Sequence, residues 1–191
     1  MRLSVAAFAG AVGRRRRSSR GWRRAFVVAI VLVVALGAAT ARLLVWPAQG
    51  MPSRVSAIAV LAGSGDRLAV ALQLARERRA PMLVVSQGWM GYGGPCAPAV
   101  PGVKVICYDP DPGNTRGEAE FLGRLAKRYD WRSVVLVTTR GQDTRARILM
   151  ARCFGGSIYA VTASFPWYDW PYQIAYGWGA LLKALTVYRS C

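Results

Sequence analysis

Residues 134–153 read VVLVTTRGQDTRARILMARC, and this stretch indicates the fold class more clearly than any other. Its first four residues are apolar and predict a strand, 134–137, that is buried in a sheet. A helical pattern follows over about 144–154, where apolar residues return at helical spacing. Between strand and helix lies a junction dense in hydrogen-bonding side chains, from Thr138 to Arg145. A buried strand that leads into a helix is typical of α/β proteins.

The same alternation of strand and helix patterns extends over residues 55–163. Strand patterns occupy 55–61, 82–86, 103–108, 134–137 and 157–163, and helix patterns occupy about 68–79, 115–130 and 144–154. Because the strands are continuously apolar, they predict a parallel sheet that is covered on both faces. With right-handed crossovers, we expect a doubly wound, Rossmann-like α/β fold of about five parallel strands in three layers.

The N-terminal part of the chain is basic and then apolar. The net charge is +17, and residues 1–24 contain eight arginines and no acidic residue. Residues 25–46, AFVVAIVLVVALGAATARLLVW, are long and apolar enough to cross a bilayer. Arginine-rich flanks stay in the cytoplasm. We therefore expect a basic cytoplasmic tail (1–24), a transmembrane anchor (25–46), a linker (47–54) and an extracytoplasmic α/β domain (55–191).

Two alternatives to this topology remain. Ala39-Thr40-Ala41 resembles a signal-peptide cleavage site, and cleavage there would also place the domain outside the cytoplasm. Residues 172–188 are apolar too, but two glycines and Lys183 favour a helix packed on the sheet or lying at the membrane surface over a second span. The basic run is interpreted as a topology determinant in contact with lipid headgroups, so no nucleic-acid partner is expected. A cytoplasmic nucleotide-binding domain would require the opposite topology.

The cysteine and histidine content limits the chemistry. Four cysteines on the expected outer side suggest disulfides, for which three pairings exist. We expect Cys96 to pair with Cys107 and Cys153 with Cys191. The chain has no histidine and no CxxC spacing, which argues against a zinc site and leaves carboxylates, Lys, Tyr or a thiol for acid–base chemistry. No cofactor is identified.

Polar loops follow four of the predicted strands. In open parallel sheets, ligands bind beyond the carboxyl ends of the strands, where the strand order reverses. If the first and fourth strands are neighbours there, GSGDR (63–67) faces TTRGQDTR (138–145), and their arginines and helix N-termini would favour an anion such as phosphate. The GxG turn lacks the third glycine of the dinucleotide fingerprint, and no P-loop occurs. The candidate bases are Asp66 and Glu118, and the candidate ligand-binding residues are Gly63, Ser64, Gly65, Arg67, Ser86, Asn114, Thr115, Thr138, Gln142 and Arg145.

Each of these residues also has a purely structural interpretation. Ser64, Asp66 and Thr144 would only cap helices, and Thr115 with Glu118 matches a capping box. Arg147 and Arg152 would lie on a solvated helix face. Arg67 and Arg145 would pair with Asp66 and Asp143.

Four motifs in order resemble the SanA/YdcF/ElyC-like family of envelope proteins. They are AVLAGSGDR (59–67), LVVSQG (83–88), DPGNTRGEA (111–119) and VVLVTTRGQDTRAR (134–147). The resemblance implies a doubly wound fold, an N-terminal membrane anchor and a role in the envelope barrier or peptidoglycan assembly, without an established reaction. Carried over by position, the family's motif residues fall on Gly63 to Arg67, Ser86, Gly88, Asn114, Thr115, Arg145 and Ala146.

The chain departs from the family pattern at Gln142, where a histidine is common. Glutamine donates and accepts hydrogen bonds but cannot shuttle a proton near neutral pH. If that histidine is catalytic, this protein uses another base or has lost the reaction, whereas ligand binding would survive.

Two functions follow as hypotheses. The first is an envelope protein, enzyme or not, that binds a phosphorylated or nucleotide-like ligand, for example a polyprenyl-phosphate-linked sugar. The second is a non-catalytic scaffold that recruits envelope partners through exposed aromatic residues. The candidates for that surface are Trp89, Tyr92, Trp167, Tyr168 and Trp170.

Overall fold

The computed structural model describes residues 19–88 and 97–191. The chain divides into two compact units, one that ends at Ala38 and one that runs from Ala39 to Cys191. Helix α1 (Ser19–Thr40) begins in the first unit and ends in the second. A π-helical turn, Ala41–Val45, follows it.

The segment Gly21–Val45 is the one helix in the described ranges that is long and apolar enough to cross a membrane. Its bounds lie close to the predicted 25–46. Nearly all of its most apolar window is exposed, including Val31, Leu32 and Val33. An exposed, continuously apolar helix is suited to a lipid environment rather than to a water-facing surface.

The second unit contains five strands and four helices among its described residues. The strands are β1 (Ala57–Val60), β2 (Met82–Ser86), β3 (Lys104–Tyr108), β4 (Ser133–Thr139) and β5 (Ser157–Ala163). The helices are α2 (Arg67–Arg76), α3 (Thr115–Arg128), α4 (Arg140–Cys153) and α5 (Trp170–Thr186), the last preceded by a 3-10 turn, Trp167–Asp169.

The sheet is parallel, with the strand order β3-β2-β1-β4-β5. The predicted doubly wound α/β fold is therefore confirmed. β1 pairs with β4 so that Val60 lies beside Val137. The chain moves outward from β1 in one direction through β2 and β3, and then resumes on the other side at β4. The switch point of the sheet lies between β1 and β4, the arrangement under which residues 63–67 and 138–145 would face each other.

Helices cover both faces of the sheet. Side chains of β1 alternate between the faces, since Ile58 and Val60 join a core cluster with α2, while Ala57 and Ala59 join one with α3 and α4. These β1 residues are almost fully buried, which explains why the strand is apolar without interruption. α5 was expected to pack on the sheet or to lie at the membrane surface, and it packs mainly over α4, through Gln173, Gly177, Leu181 and Ala184.

The prediction of where α4 begins was wrong. The helix begins at Arg140 rather than near Thr144, so most of the polar junction belongs to its first two turns. The side chains of Asp143 and Arg145 are buried inside those turns. Polar side chains that point inward remove the apolar periodicity by which a helix is recognised in a sequence.

A disulfide joins Cys153, at the end of α4, to Cys191, as expected. It ties the C-terminus, beyond α5, to the helix on which α5 packs. Cys107 is also disulfide-bonded, while Cys96, its expected partner, lies outside the described residues.

Candidate functional site

The carboxyl ends of β1, β2 and β4 form one rim, because these strands are adjacent and parallel. The turn after β1 (61–66) lies directly beside the start of α4, and Leu61 N–H still donates to the Val137 carbonyl, over 3.1 Å. The first turn of α3 reaches the same rim through Glu118. The rim brings together many of the residues that the sequence predicts for a site.

Arg67 holds the turn after β1 from within. Its Nε donates to the Ser64 carbonyl (2.8 Å), and its NH1 donates to the carbonyls of Leu61 (3.0 Å) and Ala62 (2.5 Å). The side chain is only 2% exposed. Within the described parts of the chain, no ion pair joins Arg67 to Asp66, which corrects the structural interpretation of this arginine. Most of its donors are engaged inside the protein.

Gly63 is required by this arrangement. Its φ is +131°, and a Cβ at this position would lie 2.6 Å from an Arg67 guanidinium nitrogen. A side chain would therefore be strained and would also displace the guanidinium. The turn and its internal arginine form one structural unit.

Gln142 bridges the turn and β4. Its Oε1 accepts hydrogen bonds from Arg67 NH1 (3.0 Å) and from the Thr138 hydroxyl (3.2 Å). Arg67 NH2 also donates to Thr139 Oγ1 over 3.4 Å. A protonated histidine at position 142 could not accept from a guanidinium, whereas an amide oxygen can.

Glu118 lies in α3 but reaches across to the turn after β1. Its Oε1 accepts from the Ala62 N–H over 2.6 Å, and the residue is 3% exposed. The predicted capping box of Thr115 and Glu118 was wrong. Asn114 caps α3 instead, since its side chain accepts from the N–H groups of Arg116 and Gly117. Because Asn114 rather than Thr115 is the N-cap, the Glu118 side chain does not take part in a capping box. It can therefore accept a hydrogen bond from the turn after β1.

Arg145 lies between α3 and α5. Its NH2 donates to Thr115 Oγ1 over 3.3 Å, and its guanidinium lies over the Tyr176 ring, 5.3 Å from the centroid. The Nε is buried and has no hydrogen-bond partner among the described residues. The expected pair with Asp143 does not form, because Asp143 binds Arg147 Nε (2.7 Å) and Gln49 (2.9 Å) instead.

Ser86 and Tyr108 end β2 and β3 side by side at this rim. Both hydroxyls are buried and make no hydrogen bond of normal geometry to a described residue. Ser86 nevertheless lies close enough to Glu118 and Tyr108 to lower the pKa of each. Tyr108 was missed by the sequence analysis, although it ends a strand that pairs in register with the strand of Ser86.

We call Ser86, Tyr108, Glu118 and Arg145 the buried polar cluster. Burial raises the pKa of Glu118, while the hydrogen bond from Ala62, the nearby Ser86 and the charges of Arg67 and Arg145 oppose the rise. Burial and the charge of Glu118 raise the pKa of Tyr108 well above its ordinary value. The cluster therefore holds a carboxyl group that takes up a proton more readily than an exposed glutamate does.

The other candidate base, Asp66, lies outside this cluster. Asp66 is exposed and precedes α2, but its side chain makes no capping hydrogen bond to a described residue. Ser64 and Gly65 are exposed on the same turn. These residues therefore lie at the solvent-exposed edge of the rim rather than in its interior.

Three further structural interpretations need correction. Thr144 does not cap α4, and its hydroxyl instead donates to the Leu43 carbonyl. Arg147 donates to the carbonyls of Ala48 (2.7 Å) and Ile158 (3.2 Å), and Arg152 donates to that of Ala184 (2.7 Å). Both arginines fix neighbouring segments to α4 instead of forming a solvated face.

The candidate aromatic surface is only partly described. Trp89 and Tyr92 lie outside the described residues. Trp167 and Tyr168 are exposed, whereas Trp170 is half-buried and its ring lies 4.9 Å from that of Phe165.

The rim combines the buried guanidinium group of Arg145, the carboxyl group of Glu118, whose pKa is raised by burial, and the neighbouring buried hydroxyls of Ser86 and Tyr108. Such groups can bind an oxyanion and move a proton to or from it. Within the described ranges, no group of three Cys, Asp or Glu side chains could hold a metal ion. Comparison with models of known protein families and with curated protein sequences finds no match to this chain.

Proposed function

We propose that this chain is a membrane-anchored envelope protein of the SanA/YdcF/ElyC type that binds a phosphorylated or nucleotide-like ligand at the rim. Its N-terminus would lie in the cytoplasm, residues 21–45 would cross the membrane once, and the α/β domain would lie outside. The ligand would belong to cell-envelope or peptidoglycan biogenesis or to the barrier function of the envelope. The sequence motifs support the family, and the basic, then apolar N-terminus supports the topology.

One observation carries the ligand-binding proposal. Arg145 Nε, Ser86 Oγ and Tyr108 OH are all buried; Arg145 Nε has no hydrogen-bond partner among the described residues, and the two hydroxyls make none of normal geometry there although they lie close to each other and Ser86 lies close to Glu118. A buried polar group without a hydrogen bond destabilises the folded state by about 1–3 kcal/mol. We therefore infer that a cluster of such groups around one carboxyl group is used for binding or catalysis. A ligand that accepts from Arg145 and from the two hydroxyls would satisfy all three.

The charges favour phosphate among the possible ligands. Arginine binds phosphate oxygens with two parallel donors, and Arg145 adjoins Thr115 at the positive N-terminal end of α3. Burial raises the pKa of Glu118 and so eases its protonation beside an anion, and a protonated carboxyl group would donate a hydrogen bond where a carboxylate would repel. If the protein catalyses a reaction of the ligand, Glu118 would be the acid or base, because Asp66 lies at the solvent-exposed edge of the rim.

The direct test is titration of the full-length protein, reconstituted in lipid nanodiscs, with a polyprenyl phosphate, with nucleotides and with inorganic phosphate. We expect binding of at least one of these probes and a loss of about tenfold or more in affinity for Arg145→Ala, given the strength of charge-assisted hydrogen bonds. Arg54→Ala is the matched control, because Arg54 is exposed at the opposite end of β1. Absence of binding, or equal affinities of the two variants, would contradict the proposal.

A further inference from the structure

The disulfide between Cys153 and Cys191 lies at an open cavity of about 300 Å³. Both cysteines line this cavity, together with Arg124 and Lys127 of α3. Cys191 is exposed, whereas Cys153, at the end of α4, is half-buried. Thiol–disulfide exchange requires that an attacking thiolate reach one of the two sulfur atoms. The cavity provides that access, and Cys191 is the more exposed of the two residues.

Two cations without ion-pair partners line the same cavity. Arg124 and Lys127 are both exposed, and within the described ranges neither makes an ion pair. The acidic side chain of the lining, Glu120, is already paired with Arg116 over 2.7 Å. Positive charge beside a cysteine favours its thiolate form. The lining therefore stabilises both an approaching thiolate and the sulfur that leaves when the disulfide breaks.

The disulfide fixes residues 187–191, which follow α5, against α3 and α4. Tyr188 is the side chain of this segment that packs partly against the core, and its ring lies 5.4 Å from the Arg116 guanidinium and 5.0 Å from Lys183 Nζ. The N–H groups of Val187 and Tyr188 donate to the Lys183 carbonyl over 2.9 and 3.1 Å. Once the disulfide is broken, these few non-covalent contacts are what hold the segment in place.

α5 itself is attached to α4 by other contacts. Leu181 and Ala184 are buried, and Arg152 NH1 of α4 donates to the Ala184 carbonyl over 2.7 Å. Breaking the disulfide should therefore release residues 187–191 and leave α5 on α4.

We propose that the Cys153–Cys191 disulfide is a site of thiol–disulfide exchange, at which a dithiol reductant releases residues 187–191 from α3 and α4. One thiolate of the dithiol attacks Cys191 Sγ, and the electron pair of the broken Sγ–Sγ bond leaves on Cys153 Sγ, which takes a proton from solvent. The second thiolate of the dithiol then attacks the first sulfur of the dithiol in the mixed disulfide. Cys191 leaves as a thiolate and is protonated in turn. The protein gains two electrons and two protons, and the dithiol becomes a disulfide. This inference does not depend on a ligand at the rim.

The test follows the reduction of the folded full-length protein in lipid nanodiscs. Dithiothreitol and reduced thioredoxin are the probes, one a small dithiol and the other a protein dithiol. Free thiols are alkylated at successive times, and peptide mass spectrometry assigns each cysteine. Arg124→Gln/Lys127→Gln removes the two cations of the cavity. Arg76→Gln/Arg78→Gln is the matched control, because both arginines are exposed at the end of α2, which covers the other face of the sheet.

In the folded protein, Cys153 and Cys191 should be reduced by at least one probe within about tenfold of the rate in urea, because the disulfide is accessible. The cavity variant should slow this reaction by about threefold or more, and the control variant should leave it unchanged. A faster reaction per thiol with thioredoxin would assign the reductant to proteins, and a faster reaction with dithiothreitol would assign it to small dithiols. Hydrogen exchange of the amides of residues 187–189 should increase on reduction, while those of α4 stay protected.

Three results would overturn the proposal. One is a reduction of the folded protein that is more than about tenfold slower than in urea with both probes, since the bond would then break only on unfolding. Another is an equal rate in the cavity and control variants. The third is hydrogen exchange at residues 187–189 that is unchanged on reduction, or that rises together with exchange throughout the domain.

Discussion

The Glu118 carboxylate accepts a hydrogen bond from the Ala62 N–H over 2.6 Å. This contact joins a helix on one side of the sheet to the turn after the central strand. The same turn is held from inside by Arg67, which donates to the Ala62 carbonyl. Glu118 thus binds the N–H group of Ala62, and Arg67 binds its carbonyl group. The conformation of the turn after β1 depends on both side chains.

Glu118→Gln should change how stability depends on pH. Burial raises the pKa of Glu118 above its ordinary value of 4.5. The folded state therefore binds this proton more tightly than the unfolded state, and the free energy of unfolding should fall as pH rises from about 4.5 through the raised pKa. Glutamine keeps an acceptor for the Ala62 N–H and removes the titration. The free energy of unfolding of the variant minus that of the wild type, both measured by urea unfolding, should therefore increase with pH across this window. A difference that stays constant with pH would contradict the prediction.

Arg67→Ala should destabilise the domain. Its loss would leave the carbonyls of Leu61, Ala62 and Ser64 without this donor and would leave Thr138 as the remaining donor to the Gln142 amide oxygen, at a combined cost of about 3 kcal/mol or more. The midpoint of denaturant unfolding would report this cost. Arg54→Ala, at an exposed position, should change the free energy of unfolding by less than about 0.5 kcal/mol. A similar small effect for both variants would show that Arg67 does not hold the turn.

Gly63→Ala and Gly179→Ala should have opposite effects. Gly63 has a φ of +131° and no room for a Cβ beside Arg67, so alanine should destabilise the domain by about 1–3 kcal/mol. Gly179 lies inside α5, and a Cβ added there would meet no described atom within 4 Å, so alanine should stabilise the helix by about 0.5–1 kcal/mol. Thermal unfolding of the two variants under the same conditions distinguishes these signs.

Removing the disulfide with Cys153→Ala and Cys191→Ala should lower stability. The bond spans 38 residues of sequence, and the chain-entropy relation gives about 4 kcal/mol for a loop of this length. The loss should appear in the urea midpoint of the double variant, and reducing conditions, which also break the disulfide at Cys107, should lower the midpoint of the wild type at least as far. Unchanged stability in both would mean that α5 holds the C-terminus without the bond.

The proposed topology predicts the behaviour of reporters fused after Cys191. Alkaline phosphatase, which needs an oxidising compartment, should be active, and a reporter that functions only in the cytoplasm should be silent. Replacing the arginines of residues 14–24 with glutamine should weaken this preference, since they set the orientation. An active cytoplasmic reporter in the unmodified chain would reverse the topology.

Much of the fold could be predicted because strands buried on both faces are recognisable from their composition. All five strands followed from runs such as 82–86 and 157–163, whereas the adjacency of β1 and β4 was only a condition of the predicted site. The start of α4 could not be predicted, because inward-facing polar residues such as Asp143 are satisfied by Arg147 and Gln49, and Gln49 is remote in sequence. Local periodicity carries no information about such partners.

The site could be predicted as a location but not as a set of roles. The carboxyl rim follows from topology alone. The roles of Arg67, Glu118 and Asn114 depend on which backbone groups they reach. A shift of one residue in the cap of α3 decides whether Glu118 caps its own helix or binds the turn after β1. Tyr108 enters the site only through the register of β3 with β2.

The Tyr176 ring covers the Arg145 guanidinium, so the aromatic face of α5 and the buried polar cluster share a border. The ring shields one face of the guanidinium from water, and a hydrogen bond from Arg145 to an anion is stronger where water is excluded. A change of the side chain at position 176, on the surface of α5, would therefore alter the binding of an anion in the interior.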